Sequence, residues 1–168
     1  MSEERDKTPD ITAEDIAFMR EALALASQAA EADETPVGAV IVRNGQIVSR
    51  GWNMREQGRD ATLHAEMCAI REACERMGGW RLPGTTLYVT LEPCPMCAGA
   101  IVNARIERVV FGAADPKAGA CGSVLDITGC EKLNHHPRMI GGVLAEEAAA
   151  LLKSFFRRKR EKPPKADA

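Results

Sequence analysis

Apolar residues recur along this chain at two different spacings, and these spacings predict where its helices and strands lie. Phe18, Ala22 and Leu25 fall three to four residues apart in an alanine-rich stretch, which is the spacing of one face of a helix. Thr12 precedes that stretch and is a residue type that caps helix N-termini. The first helix is therefore predicted to run from Thr12 to about residue 31.

A β-hairpin is predicted after this helix. Residues 37–42 are apolar and largely β-branched, and residues 46–52 form a second strand-like segment. Asn44-Gly45 between them is the strongest short signal for a two-residue hairpin turn. The two strands are expected to pair antiparallel.

The rest of the chain is predicted to alternate between strands and helices. The predicted elements are a loop over residues 53–63, helices over 64–77, 95–104 and 145–160, and strands over 85–90, 108–112 and 142–144. From residue 85 onward, a strand that returns through a helix to the next strand gives parallel pairing. Together with the antiparallel hairpin, this alternation predicts an α/β fold with a mixed sheet.

Length and composition favour a single domain. The 168 residues, 45% of them hydrophobic, suffice for one full core. That domain is predicted over residues 11–160, between a flexible N-terminus over 1–10 and a disordered tail over 161–168. No uninterrupted apolar stretch reaches the roughly 20 residues of a bilayer span, and the polar first ten residues are unlike a signal peptide. The sequence therefore predicts a cytoplasmic protein with no membrane partner.

Two short motifs about 30 residues apart hold the candidate chemistry. His64 and Glu66 are separated by one residue, and Cys94 and Cys97 have the spacing of a metal-binding cysteine pair. One imidazole and two thiolates give zinc three ligands and leave its fourth position open for a water, whose pKa the metal lowers to about 7. Glu66 is not needed as a ligand and is placed to move protons between the water and a substrate. This pattern is typical of zinc-dependent nucleobase deaminases.

The metal residues leave alternatives open at this point. Cys121, Cys130, His135 and His136 could supply a second zinc site, although their spacing matches no standard pattern. The main motif also fits a free-base or nucleoside deaminase of the guanine or cytidine type, or a zinc-stabilised RNA-binding module without activity. Glu66 argues against the inactive module, because a buried carboxylate beside a metal is costly unless it is used.

Charge is distributed unevenly, although the formal net charge is only −2. Basic residues gather over residues 153–160, at the end of the last predicted helix. They either meet nucleic-acid phosphates or form a solvated helix end, where cations favour the helix dipole. Two other side chains are equally open: Asn53 as a turn residue or a substrate contact, and Phe156 as a core, dimer or base-stacking contact.

Several segments, taken in order, invite comparison with a known family. They are Pro36-Val37-Gly38-Ala39-Val40, Gly51-Trp52-Asn53, His64-Ala65-Glu66, the run from Thr86 to Cys94, the run from Arg108 to Ala113, and Phe155-Phe156-Arg157. Together they resemble the bacterial tRNA-specific adenosine deaminases of the TadA type, within the cytidine deaminase-like superfamily, over roughly residues 12–160. The zinc motifs alone indicate only the superfamily, whereas the segment after Met96, the loop over 112–122 and the Phe-Phe-Arg ending indicate the narrower family. The stretch over 129–132 departs from the family pattern.

The resemblance implies a fold, a reaction and a set of site residues. The implied fold is a three-layer α/β/α cytidine deaminase-like fold with a central mixed five-stranded sheet, in a homodimer with one Zn²⁺ per chain. The implied reaction is hydrolytic conversion of adenosine to inosine at the wobble position of an arginine tRNA, so the expected partner is the tRNA anticodon stem-loop. The residues with implied roles are His64, Cys94 and Cys97 as zinc ligands, Glu66 as the proton shuttle, and Asn53, Asp115, Lys117, Asn134, His135 and Phe156 as substrate contacts.

Overall fold

The structure is a computed structural model and describes residues 10–163. Residues 1–9 and 164–168, which hold most of the predicted flexible N-terminus and of the predicted disordered tail, lie outside the described residues. The predicted domain boundary at residue 160 falls within the last helix, which continues to Glu161. In the described part of the chain, no helix combines the length and the apolar character that crossing a membrane requires.

Within the described residues, five strands form one mixed sheet, as the sequence predicts. They are β1 (Gly38–Arg43), β2 (Gln46–Trp52), β3 (Thr85–Leu91), β4 (Arg108–Ala113) and β5 (Arg138–Ile140), and their order across the sheet is β2-β1-β3-β4-β5. β1 pairs antiparallel with β2 and β3, whereas β4 pairs parallel with β3 and β5. The predicted hairpin is confirmed, because Asn44 and Gly45 take the positive φ values, 51° and 73°, that a tight primed turn needs.

Helices cover both faces of this sheet, so the three-layer prediction is confirmed. They are α1 (Ala13–Glu31), α2 (Arg55–Gly58), α3 (Ala65–Met77), α4 (Pro95–Asn103) and α5 (Ala145–Glu161). α1 and α5 pack on one face, in a core that includes Met19 and Val110, and α3 and α4 pack on the other, in a core that includes Leu87 and Ile101. Thr12 caps α1 as predicted, since its hydroxyl accepts a hydrogen bond from the backbone N–H of Asp15.

The prediction of a last strand over residues 142–144 is wrong. The strand beside β4 is Arg138–Ile140, and Gly142 and Leu144 have positive φ values of 89° and 52°, which strand residues do not adopt. Val143, whose apolar character suggested a strand, is instead buried in the core beneath α5. β5 is too short to leave an alternating pattern in the sequence.

Two connections also differ from the predictions. The segment over residues 114–137, all of which are described, joins β4 to β5 without a helix, so the crossover helix is present only between β3 and β4. The segment predicted as a loop over residues 53–63 contains α2. Buried Glu34 accepts hydrogen bonds from the backbone N–H groups of Glu56 and Gln57, at 3.2 and 2.7 Å, and so caps this four-residue helix from a distant part of the chain.

Two glycines allow helices to lie against strands at backbone contact. A Cβ on Gly38 of β1 would lie 2.1 Å from the carbonyl oxygen of Ala22 in α1, and a Cβ on Gly51 of β2 would lie 2.2 Å from that of Ala65 in α3. These distances are far below van der Waals contact, so only glycine fits. The N-terminus of α3 is thereby fixed against β2.

A buried ionic cluster joins α1 to the sheet. Both carboxylate oxygens of Asp15 accept hydrogen bonds from the Arg108 guanidinium, at 2.7 and 2.8 Å, and the Tyr88 hydroxyl donates to the same carboxylate at 2.9 Å. Burial alone would raise the pKa of the Asp15 carboxyl, but hydrogen bonds from Arg108, the Thr12 backbone and Tyr88 outweigh it and lower that pKa to about 2. The charged form of Asp15 therefore stabilises the folded state.

Replacing Asp15 with asparagine is expected to lower the free energy of unfolding at pH 7 by about 3 kcal/mol, because the half-buried Arg108 guanidinium loses its counter-charge. The carboxyl pKa falls from 3.8 in the unfolded chain to about 2 in the folded one, so its contribution is complete above pH 4 and disappears as the pH falls through 2. Urea unfolding of both proteins between pH 7 and pH 2 measures this difference, which should narrow below pH 4. Glu14→Gln, an exposed change in the same helical turn, is the control and should alter stability by less than about 0.5 kcal/mol. A pH-independent difference would contradict the assignment.

Candidate active site

Two helix N-termini bring the predicted metal ligands together. His64 is the residue before α3, and Cys94 is the residue before α4, where Pro95 starts the helix and Cys97 lies in the first turn. The Nδ1 atom of His64 lies 3.5 Å from the Cys94 sulfur and 3.6 Å from the Cys97 sulfur. All three ligand atoms lie within 4.8 Å of one another.

These distances fit zinc. A tetrahedral zinc ion, with bonds of about 2.05 Å to nitrogen and about 2.3 Å to sulfur, separates the nitrogen from each sulfur by about 3.6 Å. The His64 nitrogen and the two sulfurs match that edge length. Three protein ligands leave the fourth position for a water or a substrate atom, which is the arrangement of a catalytic site.

The local electrostatics favour a thiolate at Cys94. A hydrogen bond from the Cys97 thiol, which outweighs the opposing effect of burial, and a further contribution from His64 lower the pKa of Cys94 to about 4. Its position at the N-terminus of α4 acts in the same direction, because the helix dipole stabilises negative charge there. The pKa of Cys97 is raised, because this buried thiol is the donor in that hydrogen bond. A thiolate is the form of cysteine that binds a metal.

The structure does not assemble the second metal site that the sequence left open. Within residues 10–163, His64, Cys94 and Cys97 are the only three such side chains whose ligand atoms converge. His135 Nε2 lies 2.6 Å from the carbonyl oxygen of Ile106, and His136 Nε2 lies 2.9 Å from that of Cys130. Both imidazoles thus satisfy backbone carbonyls.

Glu66 lies in the first turn of α3, two residues after His64, and is 4% exposed. Its carboxyl interacts with the Cys97 thiol, which places it beside the cluster of ligands without making it one of them. Burial raises the pKa of this carboxyl to about 7, against the opposing effect of His64. A carboxyl with such a pKa can both accept and release a proton near neutral pH.

A cavity of about 1080 Å³ opens onto these residues. Four of the predicted substrate contacts line it together with His64, Glu66 and Cys94, and they are Asn53, Asp115, Lys117 and Phe156. Asn53 is 4% exposed, and its Oδ1 atom accepts a hydrogen bond from the backbone N–H of Arg55 at 3.3 Å. The turn role and the substrate role of Asn53 are therefore compatible, because its amide nitrogen is not used in that bond.

The other two predicted substrate contacts lie elsewhere. Neither Asn134 nor His135 is among the residues that line the cavity. Asn134 is exposed, and the His135 ring bonds the backbone after α4. The cavity therefore does not bring Asn134 and His135 together with the other four expected contacts, and their place beside the substrate stays a prediction.

The basic end of α5 forms one wall of the cavity. Lys153, Arg157, Lys159 and Arg160 line it, whereas Arg158 does not. Lys159 is already paired, at 3.2 Å, with Asp33. Phe155 is buried, and Phe156, which is 45% exposed, meets it edge to face at 5.4 Å. The cavity wall thus separates Arg158 from its neighbours, and the two interpretations of residues 153–160, phosphate contact or solvated helix end, both stay predictions.

Sequence reasoning missed three polar residues that line the cavity. Thr35 and Arg55 line the cavity next to Asn53, and the Arg55 guanidinium is 3.5 Å from the Thr35 hydroxyl. Glu92 lines it between the end of β3 and the Cys94 motif. A charged residue that directly follows a buried strand and precedes a metal motif is a signal that could have identified Glu92.

Comparison with known proteins places these features in context. Residues 12–113 match the family model of the cytidine and deoxycytidylate deaminase zinc-binding region. A tRNA-specific adenosine deaminase of Bacillus subtilis (strain 168) is 50% identical to this chain over 149 residues, which cover 89% of this chain and 92% of the relative. The region matched by the family model, residues 12–113, contains both metal motifs.

Two solved structures distinguish the open functional alternatives. One comes from biochemical and structural studies of A-to-I editing by tRNA:A34 deaminases at the wobble position of transfer RNA. It superposes with a TM-score of 0.79 at 46% sequence identity, and the match covers 81% of this chain and 99% of that one. A guanine deaminase from Nitrosomonas europaea superposes with a TM-score of 0.72 at 26% identity and covers 89% of this chain and 88% of its own. Identity is thus much higher to the tRNA-acting protein than to the guanine deaminase.

Proposed function

Because this chain belongs to the cytidine and deoxycytidylate deaminase family and, within it, to the tRNA-specific adenosine deaminases, we propose that it converts adenosine to inosine at the wobble position of a tRNA anticodon, that of an arginine tRNA. The observation that carries this proposal is the convergence of His64, Cys94 and Cys97 beside Glu66, in a cavity with a basic wall. The three convergent side chains hold the zinc ion, and the wall receives the nucleic acid.

The zinc ligands and Glu66 have different roles in the proposed reaction. Zinc, when bound, lowers the pKa of a water in its open position and so supplies the nucleophile for C6 of adenine. Glu66 would accept the proton that the attacking water releases and deliver it to the neighbouring ring nitrogen. It would then take the proton of the hydroxyl newly bonded to C6 and pass it to the exocyclic nitrogen, so that the C6–N bond breaks, ammonia leaves and the C6 carbonyl forms.

An unpaired nucleotide is required to reach these groups. Glu66 is 4% exposed and Cys97 is fully buried, so a base within a duplex cannot approach them. A wobble nucleotide lies in a single-stranded loop and can be turned out of its stack at low cost. The cavity volume of about 1080 Å³ is large enough for a nucleotide with parts of its neighbours.

The test of the proposed function is a substrate comparison with the purified protein. Inosine formation is measured with an arginine tRNA anticodon stem-loop, and ammonia release is measured with free guanine, cytosine, cytidine and adenosine. A stem-loop in which the same adenosine is base-paired within the stem serves as the matched substrate control. Turnover confined to the loop adenosine supports the proposal, whereas preferred turnover of guanine would establish the second candidate, which the similarity to the Nitrosomonas enzyme favours.

Changing Lys153, Arg157 and Arg160 together to alanine is expected to weaken stem-loop binding and to flatten its salt dependence. Each single-strand phosphate contact contributes about −0.7 to the slope of log K against log salt, so the loss of three contacts flattens the slope by up to about 2. Binding titrations at several salt concentrations measure this slope. Arg158→Ala is the control, because Arg158 is exposed on the same helix but outside the cavity wall. Equal slopes for the triple variant and the unmodified protein would return this helix end to the solvated interpretation.

We also propose that the chain works as a homodimer in the cytoplasm. Val124 and Leu125, in the connection between β4 and β5, are each 51% exposed, and Leu133 in the same connection is 38% exposed. Adjacent exposed apolar side chains of this kind are typical of a surface that another copy covers. Sedimentation velocity at micromolar concentration measures the oligomeric state, and a mass of one chain would contradict this proposal.

A further inference from the structure

Glu92 is the first residue after β3 and lies two positions before the metal-ligating Cys94. It is 2% exposed, yet its carboxylate accepts four hydrogen bonds from one loop. The backbone N–H of Asp115 and the Ser123 hydroxyl donate to Oε1, and the backbone N–H groups of Cys121 and Ser123 donate to Oε2. None of these contacts belongs to the reaction described above.

The loop that Glu92 holds includes part of the cavity wall. Residues 113–118 line the cavity in sequence, and they include Lys117. Backbone hydrogen bonds also join this loop to the segment before Cys94. The N–H of Glu92 donates to the carbonyl of Ala113, and the N–H of Ala120 donates to the carbonyl of Pro93, both at 2.8 Å. Gly119 allows the loop to approach the Glu92 carboxylate closely, since a Cβ at this position would lie 2.3 Å from it.

We propose that Glu92 is a positioning residue for the nucleic-acid substrate: its carboxylate fixes the loop over residues 114–118 relative to the zinc ligand Cys94. The loop and the metal motif then move as one unit, so a nucleotide held by the loop arrives at a fixed distance from the reacting groups. This inference rests on the proposed function, because it assigns a role within the same substrate cavity.

The chemistry of the contact requires a carboxylate. Two donors meet each oxygen, so both oxygens must accept. A glutamine offers one oxygen and one NH₂ group, and the NH₂ group can be tolerated only beside the Ser123 hydroxyl, which is able to accept. The backbone N–H of Asp115 then faces another donor and loses its partner. Glu92→Gln should therefore release the end of the loop that leads to Lys117.

Binding titrations of the anticodon stem-loop test this role through two double-variant cycles. We expect Glu92→Gln to weaken binding about 10-fold, as the loss of a charge-assisted hydrogen bond does, and Lys117→Ala to weaken it about 3-fold. In the double variant, the two effects should not multiply, because a displaced Lys117 has already lost its contact. Lys153→Ala is the matched control, since this lysine lines the same cavity from α5 and its effect should multiply fully with that of Glu92→Gln.

A purely structural role for Glu92 predicts a different pattern. A general loss of stability would weaken both lysine backgrounds alike, so full multiplication in both cycles, or unchanged binding by Glu92→Gln, would overturn the inference. If Glu92→Gln fails to fold, Ser123→Ala is the substitute variant, because Ser123 is exposed and the change removes only its hydroxyl donor to Glu92. It should weaken stem-loop binding about 3-fold, and this weakening should likewise vanish only in the Lys117→Ala background. If the unmodified protein turns over guanine and not the stem-loop, the proposed function fails, and the same cycles on KM for guanine should then show no coupling at Lys117.

Discussion

Replacing Glu66 with glutamine is expected to lower single-turnover deamination of the anticodon stem-loop at least about 100-fold while one zinc ion per chain remains bound. General acid–base transfer contributes about 10² to 10⁴ to a rate, and the amide of glutamine cannot accept and return the proton. Zinc should remain because the ligand atoms of His64, Cys94 and Cys97 converge without any atom of Glu66. Both quantities are measured on the same preparation, zinc by emission spectroscopy and inosine by tRNA sequencing.

The control for this variant is Glu75→Gln, an exposed change on the same helix, α3. It should leave both the rate and the zinc content unchanged. Turnover of Glu66→Gln within about 3-fold of the unmodified protein would remove Glu66 from the reaction. Loss of zinc with loss of activity would instead make Glu66 a support of the metal site.

Changing Cys94 or Cys97 to alanine is expected to remove the zinc ion and with it all measurable deamination. Two remaining ligands cannot complete the three-ligand site that a catalytic zinc requires. The double variant Cys121→Ala with Cys130→Ala should retain one zinc ion per chain, because neither residue belongs to the convergent group among the described residues. Metal analysis after gel filtration distinguishes these outcomes, and two ions per chain in the unmodified protein would show that a second site exists.

The elements that position the zinc ligands could be predicted because their signals are local. Asn44-Gly45 specifies its own turn, the apolar run of β3 precedes the Cys94 motif, and Pro95 starts α4. His64 and Cys94 were therefore expected at helix N-termini, and the structure confirms this placement. Because each half of the metal motif lies at the start of its own helix, the zinc site depends only on these local elements.

Features that depend on distant partners could not be predicted in the same way. α2 forms because Glu34, more than 20 residues away, accepts hydrogen bonds from its first turn. The ion pair of Asp15 with Arg108 spans 93 positions, and neither residue carries a local sign of its partner. The hydrogen-bond partners of Glu92 are hidden for the same reason, because its four donors lie 23 to 31 positions further along the chain. Sequence patterns report the period of a segment, not the partner that a buried charge will find.

Gly51 fixes the position of the residue that carries out the proposed proton transfer, because it holds the first turn of α3 against β2. Where a helix meets a strand through side chains, small rotamer changes can absorb a displacement, but main-chain atoms in direct contact cannot yield in this way. The first turn of α3, with Glu66, is thus held to the tolerance of a backbone contact. A misplacement of about 1 Å can cost about 100-fold in rate. Efforts to redirect this enzyme to other nucleotides can therefore vary the loop over residues 114–118. The contact between β2 and α3 should be left unchanged, because it sets the position of Glu66 relative to the substrate.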